Sequence, residues 1–144
     1  DSDEQVALNI PFGHFLALLF PPLQIARRCG QLLMTTKKFK IDGQNIKQLI
    51  KPMGGCMATD KITVDGEQIE FMYRDNSDFN NDSGWRFLSG TESQDYCDNP
   101  DNWAIYDVNT IANYDSAIIN YLDLPPGTEL ERIKGTMEFK KLKS

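Results

Sequence analysis

The sequence predicts a single α+β domain, a twisted and mostly antiparallel sheet flanked by helices, and three observations carry that expectation. Its 144 residues suit one core, since a chain of this size buries roughly two-thirds of its unfolded surface without staples. Apolar spacing is largely helical between Pro22 and Pro52 and switches to a period of two from Cys56 onward. Asn, Asp, Gly and Pro then break the apolar runs, as they do where strands are joined by loops.

Taken in order, Val6, Leu8, Ile10 and Phe12 alternate as a half-buried strand, with Pro11 confining its end to a sheet edge. The apolar run from Phe12 to Leu23 is shorter than the roughly 20 residues a membrane span needs, so no stable membrane insertion is expected. A helix opened by Pro22 carries Ile25, Ala26, Cys29, Leu32 and Leu33 on one face. Phe39 and Ile41 are expected in a short strand, and Asp42 is expected to cap a helix with the stripe Ile46, Leu49 and Ile50. Ile62 and Val64, then Asp65-Gly66, then Ile69, Phe71 and Tyr73 predict a β-hairpin with an Asp-Gly turn. A polar loop over 75–84 leads to a strand from Trp85 to Ser89, with Trp85 and Phe87 on one face and Arg86 and Leu88 on the other. After the loop TESQDYCDNPDN comes an expected strand from Trp103 to Ala112, then a short helix capped by Asp115 that buries Ile118, Ile119 and Leu122. Strand-like alternation returns at Met137 and Phe139, ahead of a basic end expected to fray.

Charge is unevenly spread. Residues 1–58 carry seven Lys/Arg against four acids, residues 59–133 four against sixteen, and residues 134–144 four against one. An acidic middle repels phosphate backbones, which argues against nucleic acid, and it speeds encounter with a basic protein. Cys29, Cys56 and Cys97 are odd in number and lack a C-x-x-C spacing, so neither a disulfide framework nor a zinc site is signalled. The cytoplasm is the expected compartment, or the periplasm if a leader has been removed, with a monomer or small homo-oligomer as the expected state.

No motif for catalysis or for a cofactor emerges. Asp78, Asn80 and Asp82 alternate as calcium ligands would, but Gly84 arrives one residue late and Ser89 stands where a bidentate Glu is needed. His14, the single histidine, sits in an apolar stretch that suits a core or capping role. Glu92, Asp95, Asp98 and Asp101 leave a carboxylate hydrolase as one alternative, and Tyr96 with Trp103 leaves a small-ligand or carbohydrate module as another. Both aromatics flank the acidic turn CDNPDN and are expected to be partly exposed, as anchors beside the carboxylates.

The blocks GGCMATDKITVDG (54–66), IEFMYR (69–74), DSGWRF (82–87), DNPDNWAIYDVNTIANYD (98–115) and YLDLPPG (121–127) resemble, in order, the immunity-protein-33-like domain family of bacterial toxin systems. In that resemblance residues 51–133 form the family domain, 1–50 an N-terminal strand and helix extension, and 134–144 a C-terminal strand and basic tail. Leu130 departs from the family's usual ending, in which an aromatic precedes the Glu-Arg pair. The resemblance implies a non-enzymatic protein without cofactor or metal that binds and neutralises a cognate toxin. Its contact surface is expected at Asp75, Asp78 and Asp82 in one loop and at Glu92, Asp95, Tyr96, Asp98, Asp101 and Trp103 in the other. Structural roles are expected for Gly84, which eases the backbone at the strand with Trp85, Arg86 and Phe87, and for Asn109 and Asn113, whose amides satisfy backbone groups.

Overall fold

Alternating apolar residues after Gly54 are realised as a six-stranded sheet in the computed structural model, which describes residues 37–142. The strands are β1 (Gly55–Thr59), β2 (Phe71–Arg74), β3 (Asp82–Leu88), β4 (Trp103–Asp107), β5 (Glu129–Arg132) and β6 (Phe139–Lys141), in the spatial order β4-β1-β3-β2-β5-β6. Neighbours are antiparallel except β1 and β3, which run parallel. Three short helices, α1 (Asp60–Thr63), α2 (Gln94–Asp98) and α3 (Val108–Tyr114), and a 3-10 turn at Ser116–Tyr121 accompany it. The α+β class, the single domain and the mostly antiparallel sheet are therefore as expected. The strand expected at 5–12, the helix after Pro22, Cys29 and His14 lie outside the described residues.

Successive side chains of a strand face opposite ways, so β1 feeds two apolar layers at once. Cys56 and Ala58 join Met72, Trp85 and Phe87 beneath Ile111 of α3 and Ile118 of the 3-10 turn. Met57 faces the other way with Phe71, Tyr73 and Leu88, packed with Cys97 of α2 and with Trp103. Trp85 and Phe87 stack at 6.1 Å, and the indole N–H of Trp85 donates to the Leu122 carbonyl at 3.1 Å. A step of two residues along β1, from Gly55 to Met57, faces a step of four along β3, from Asp82 to Arg86. Gly84 sits in the middle of that bulge at φ 92, within the strand rather than just before it.

Several local expectations are corrected. Asp65-Gly66 does not turn a hairpin: after β1 the chain coils into α1, and Gly66, at φ 79, donates its N–H to the Ile62 carbonyl and so ends a helical turn. That folding buries Ile62 completely, which an edge hairpin would not do. The helix expected at 42–50 reduces to the 3-10 turn Gly43–Asn45, Leu49 is 44% exposed, and Phe39 and Ile41 form no strand. The strand expected from Trp103 to Ala112 stops at Asp107, whose side chain accepts the Asn109 N–H and opens α3. The basic end does not fray at Lys140 and Lys141, which pair with Glu131 and Leu130 of β5. Asp115 caps as expected, accepting the Ala117 N–H, but the element it opens is 3-10 rather than α.

Residues 47–50 keep an extended path because two asparagines one helical turn apart on α3 supply the bonds a strand partner would. Asn109 Oδ1 accepts from the N–H groups of Leu49 (2.7 Å) and Ile50 (3.2 Å), while its Nδ2 donates to the Lys47 carbonyl (2.8 Å). Asn113 Oδ1 accepts from Lys47 N–H at 2.9 Å. Replacing Asn109 with Ala is expected to destabilise the fold by about 1–3 kcal/mol. Amide exchange should locate the damage, with protection lost at Leu49 and Ile50 before it is lost in β3.

Candidate functional site

Strand register separates the two acidic loops. Gly55 pairs with both Asp82 and Asp107, whereas Thr59 pairs with Trp103 and Ala58 with Phe87. The loop with Asp75 and Asp78 therefore lies at one end of the sheet, and the loop with Glu92 to Asp101 at the other. Five residues of β1 place the two ends roughly 15 Å apart.

At the first end, Asp82 does not face solvent, and the expectation that it lies on an exposed surface is corrected. Its side chain is fully buried beneath Arg86, whose guanidinium grips it in bidentate fashion (Nη1–Oδ1 3.0 Å, Nη2–Oδ2 2.8 Å). The same carboxylate accepts the N–H groups of Gly84 and Asp78, each at 2.8 Å, so its lone pairs are filled. Arg86 reaches on to exposed Asp78 at 3.2 Å and lies over the Phe79 ring, tying loop 75–81 to the strand. Partial burial raises the Asp78 pKa above its usual range, with Arg86 offsetting only part of the effect. Asp75 is half-buried.

At the second end, Glu92 and Trp103 are both about 2% exposed, so they too are corrected from surface to interior. Glu92 Oε2 accepts the Thr59 hydroxyl (2.5 Å) and the Ser89 N–H (2.9 Å), and Oε1 accepts the Gly90 N–H (2.9 Å), closing the turn after β3. The Trp103 indole N–H donates to the Cys97 carbonyl at 3.1 Å. What remains at the surface is α2, opened by the Ser93 hydroxyl accepting the Tyr96 N–H, with Asp95 and Asp98 exposed, Tyr96 half-exposed and Asp101 exposed beyond it. Lys61 lies over the Tyr96 ring at 5.4 Å, and Lys37 bridges Asp60 at 2.9 Å.

Tyr96 is held protonated well above the usual tyrosine value, first by burial and then by the charges of Asp60, Glu92 and Asp65. Tyr73 shifts the same way through burial, which Arg86 partly opposes, and so does Tyr114 through burial. The unfolded chain releases these protons near pH 10, before the folded one does, so the contribution to stability is full below about pH 10 and is lost as pH rises through the folded values. Absorbance at 295 nm is expected to show Tyr73 and Tyr96 still neutral where free tyrosines ionise, near pH 10, and losing their protons together with unfolding.

Sequence reasoning missed Asp107 as a functional candidate because its neighbours suggest a strand interior. The signal was present in Asp107 followed by Val108, Ile111 and Ala112 at helical spacing, the pattern of a helix start. It also missed that the arginines of the acidic segment are turned inward: Arg86 to Asp82, Arg132 to Asp115, and Arg74 to the carbonyls of Ser83, Leu122 and Leu124. Gly84 takes a positive φ inside β3, and the side-chain amides of Asn109 and Asn113 bond the backbone of residues 47–50.

Among the described residues, no group of His, Cys, Asp and Glu is placed to hold a metal ion, and no helix is long and apolar enough to cross a membrane. No curated protein and no solved structure matches the chain. A family model, described as the immunity protein Imm33 domain, matches residues 56–143, more than half of its length.

Proposed function

Because the chain belongs to the Imm33 immunity-protein domain family, we propose that it neutralises a cognate bacterial toxin by direct contact between exposed carboxylates and a basic face of that toxin. The observation that carries this reading is the fate of the segment's cations. Residues 59–133 hold sixteen acids against four cations, and three of those four, Arg74, Arg86 and Arg132, have their guanidinium groups bonded inside the fold. Asp82, Glu92 and Asp115 are drawn in with them, so the segment keeps its net negative charge at the surface, where Lys61 is its remaining cation among the exposed carboxylates. Such a field steers a basic protein into encounter and turns nucleic acid away.

The role requires no chemistry, only a rigid platform. Bonding of Asp82 to Arg86 and of Glu92 to Thr59 fixes the two loops before a partner arrives, which lowers the ordering cost of binding. The protein would act wherever its toxin acts, in the cytoplasm or in the periplasm.

Growth of a susceptible bacterium expressing the toxin encoded beside this gene tests the reading. Co-expression of the chain is expected to restore growth, and the purified pair to co-elute. Reversal at Asp75 and Asp78, or at Asp95, Asp98 and Asp101, is expected to weaken the complex at least about tenfold at the end of the sheet that the toxin engages. Absence of rescue by the unaltered chain would sink the proposal.

A further inference from the structure

We infer that the cleft at the Gly54 end of the sheet receives a lysine or arginine side chain of the basic toxin, an inference that rests on the toxin-binding reading above. The cleft measures about 760 Å³, with Met53, Phe79, Asn80, Asn81, Ile105 and Asp107 among its walls. Its floor is backbone brought closer than a side chain allows. Gly54 stands at φ 100, a Cβ there would meet the Asn81 carbonyl oxygen at 2.2 Å, and that oxygen accepts the Gly55 N–H at 2.7 Å. The Asp82–Arg86 pair fixes the wall behind it. The concavity is thus built in rather than induced.

Its charge selects the occupant. The two carboxylates among the lining residues are Asp82 and Asp107. Asp82 is neutralised by Arg86, but Asp107 is exposed and its carboxylate accepts one long bond, from the Asn109 N–H at 3.3 Å. Among the described residues no cation pairs with Asp107. The apolar surface of Met53, Phe79 and Ile105 suits a methylene stem, and Asp107 suits the charged head at its tip, the division of labour that long cationic side chains exploit. The opposite end of the sheet offers less: there the chain's own Lys61 already lies over Tyr96.

The test titrates the full, isotope-labelled chain with a blocked Ala-Arg-Ala tripeptide and with its neutral citrulline counterpart, following backbone amide resonances. Saturable shifts are expected at Gly54, Gly55, Asn80, Asn81 and Asp107, about tenfold weaker with citrulline. Asn80→Trp, which fills the cleft from an exposed position, is expected to abolish them, and Asp107→Asn, which keeps a cap acceptor for α3, to weaken them like citrulline. The amide spectrum of each variant reports whether it remains folded. Equal response to citrulline, shifts centred on Tyr96 to Asp101, or shifts that survive both variants would overturn the assignment. The toxin rescue experiment is scored separately, so a cleft without arginine affinity leaves the immunity reading standing, whereas failed rescue beside a responsive cleft removes the toxin and not the site.

Discussion

Asp82→Ala is expected to lower the stability of the fold by about 3–5 kcal/mol, among the largest effects available to a single substitution in this chain. The carboxylate answers both Nη atoms of a guanidinium whose side chain is 4% exposed, and it also accepts the N–H groups of Asp78 and Gly84. Its removal leaves the buried guanidinium with only the longer contact to exposed Asp78 as a counter-charge and leaves two backbone donors unpaired. Urea unfolding measures the loss, and the double replacement Asp82→Ala with Arg86→Leu distinguishes its causes. If the unpaired charge causes most of the loss, the double variant must be more stable than the Asp82→Ala single. If Asp82→Ala shifts stability by less than about 0.5 kcal/mol, the buried pair is not what holds loop 75–81 to β3.

Gly84→Ala is expected to be nearly as damaging, about 3 kcal/mol or more, because two penalties coincide there. The backbone is left-handed at φ 92, and an added Cβ would lie 2.0 Å from the Asp75 carbonyl oxygen. That neighbour is main chain and is held in turn, since the Asp75 N–H donates to the Gly84 carbonyl at 2.8 Å. Asparagine tolerates positive φ but not overlap, so Gly84→Asn should be as harmful as Gly84→Ala. Gly127 is the control: at φ 97 with no atom within 4 Å of an added Cβ, Gly127→Asn should cost backbone strain alone, well below the loss at position 84. Thermal unfolding of the three variants decides whether close approach or backbone strain alone reserves position 84 for glycine.

The parts of the fold legible in the sequence were those set by burial pattern. Trp85 and Phe87 on one face of a strand, Phe71 and Tyr73 in another, and Asp115 before a short helical turn all follow from side-chain period or capping chemistry acting locally. The failures share a different cause, which is that a local motif was satisfied by a distant partner. Asp65-Gly66 is a hairpin signal only when the run before it is a strand, and Ile62 instead coils inward to fill the core below α3. Residues 46–50 carry helical spacing, but Asn109 and Asn113 take up their backbone groups from about 60 residues away. The surface was misjudged for a parallel reason. Acids this frequent look solvated in sequence, yet Asp82 and Glu92 are each drawn inside by a ring of donors. Trp103, expected to be partly exposed from its acidic neighbours, pairs with Thr59 in the register of β1 and β4 and is buried with Met57, Leu88 and Cys97. Two loops that composition merges into one acidic region are held apart by the length of the sheet.

The inward-turned arginines leave a face of exposed carboxylates, the surface proposed to capture a basic toxin. Association rates of the purified toxin and chain, measured by stopped flow across a salt series, test it most directly. The association rate is expected to fall steeply, by about tenfold or more between low and near-molar salt, while dissociation changes little. A rate independent of salt, with protection of the cell intact, would contradict the electrostatic account.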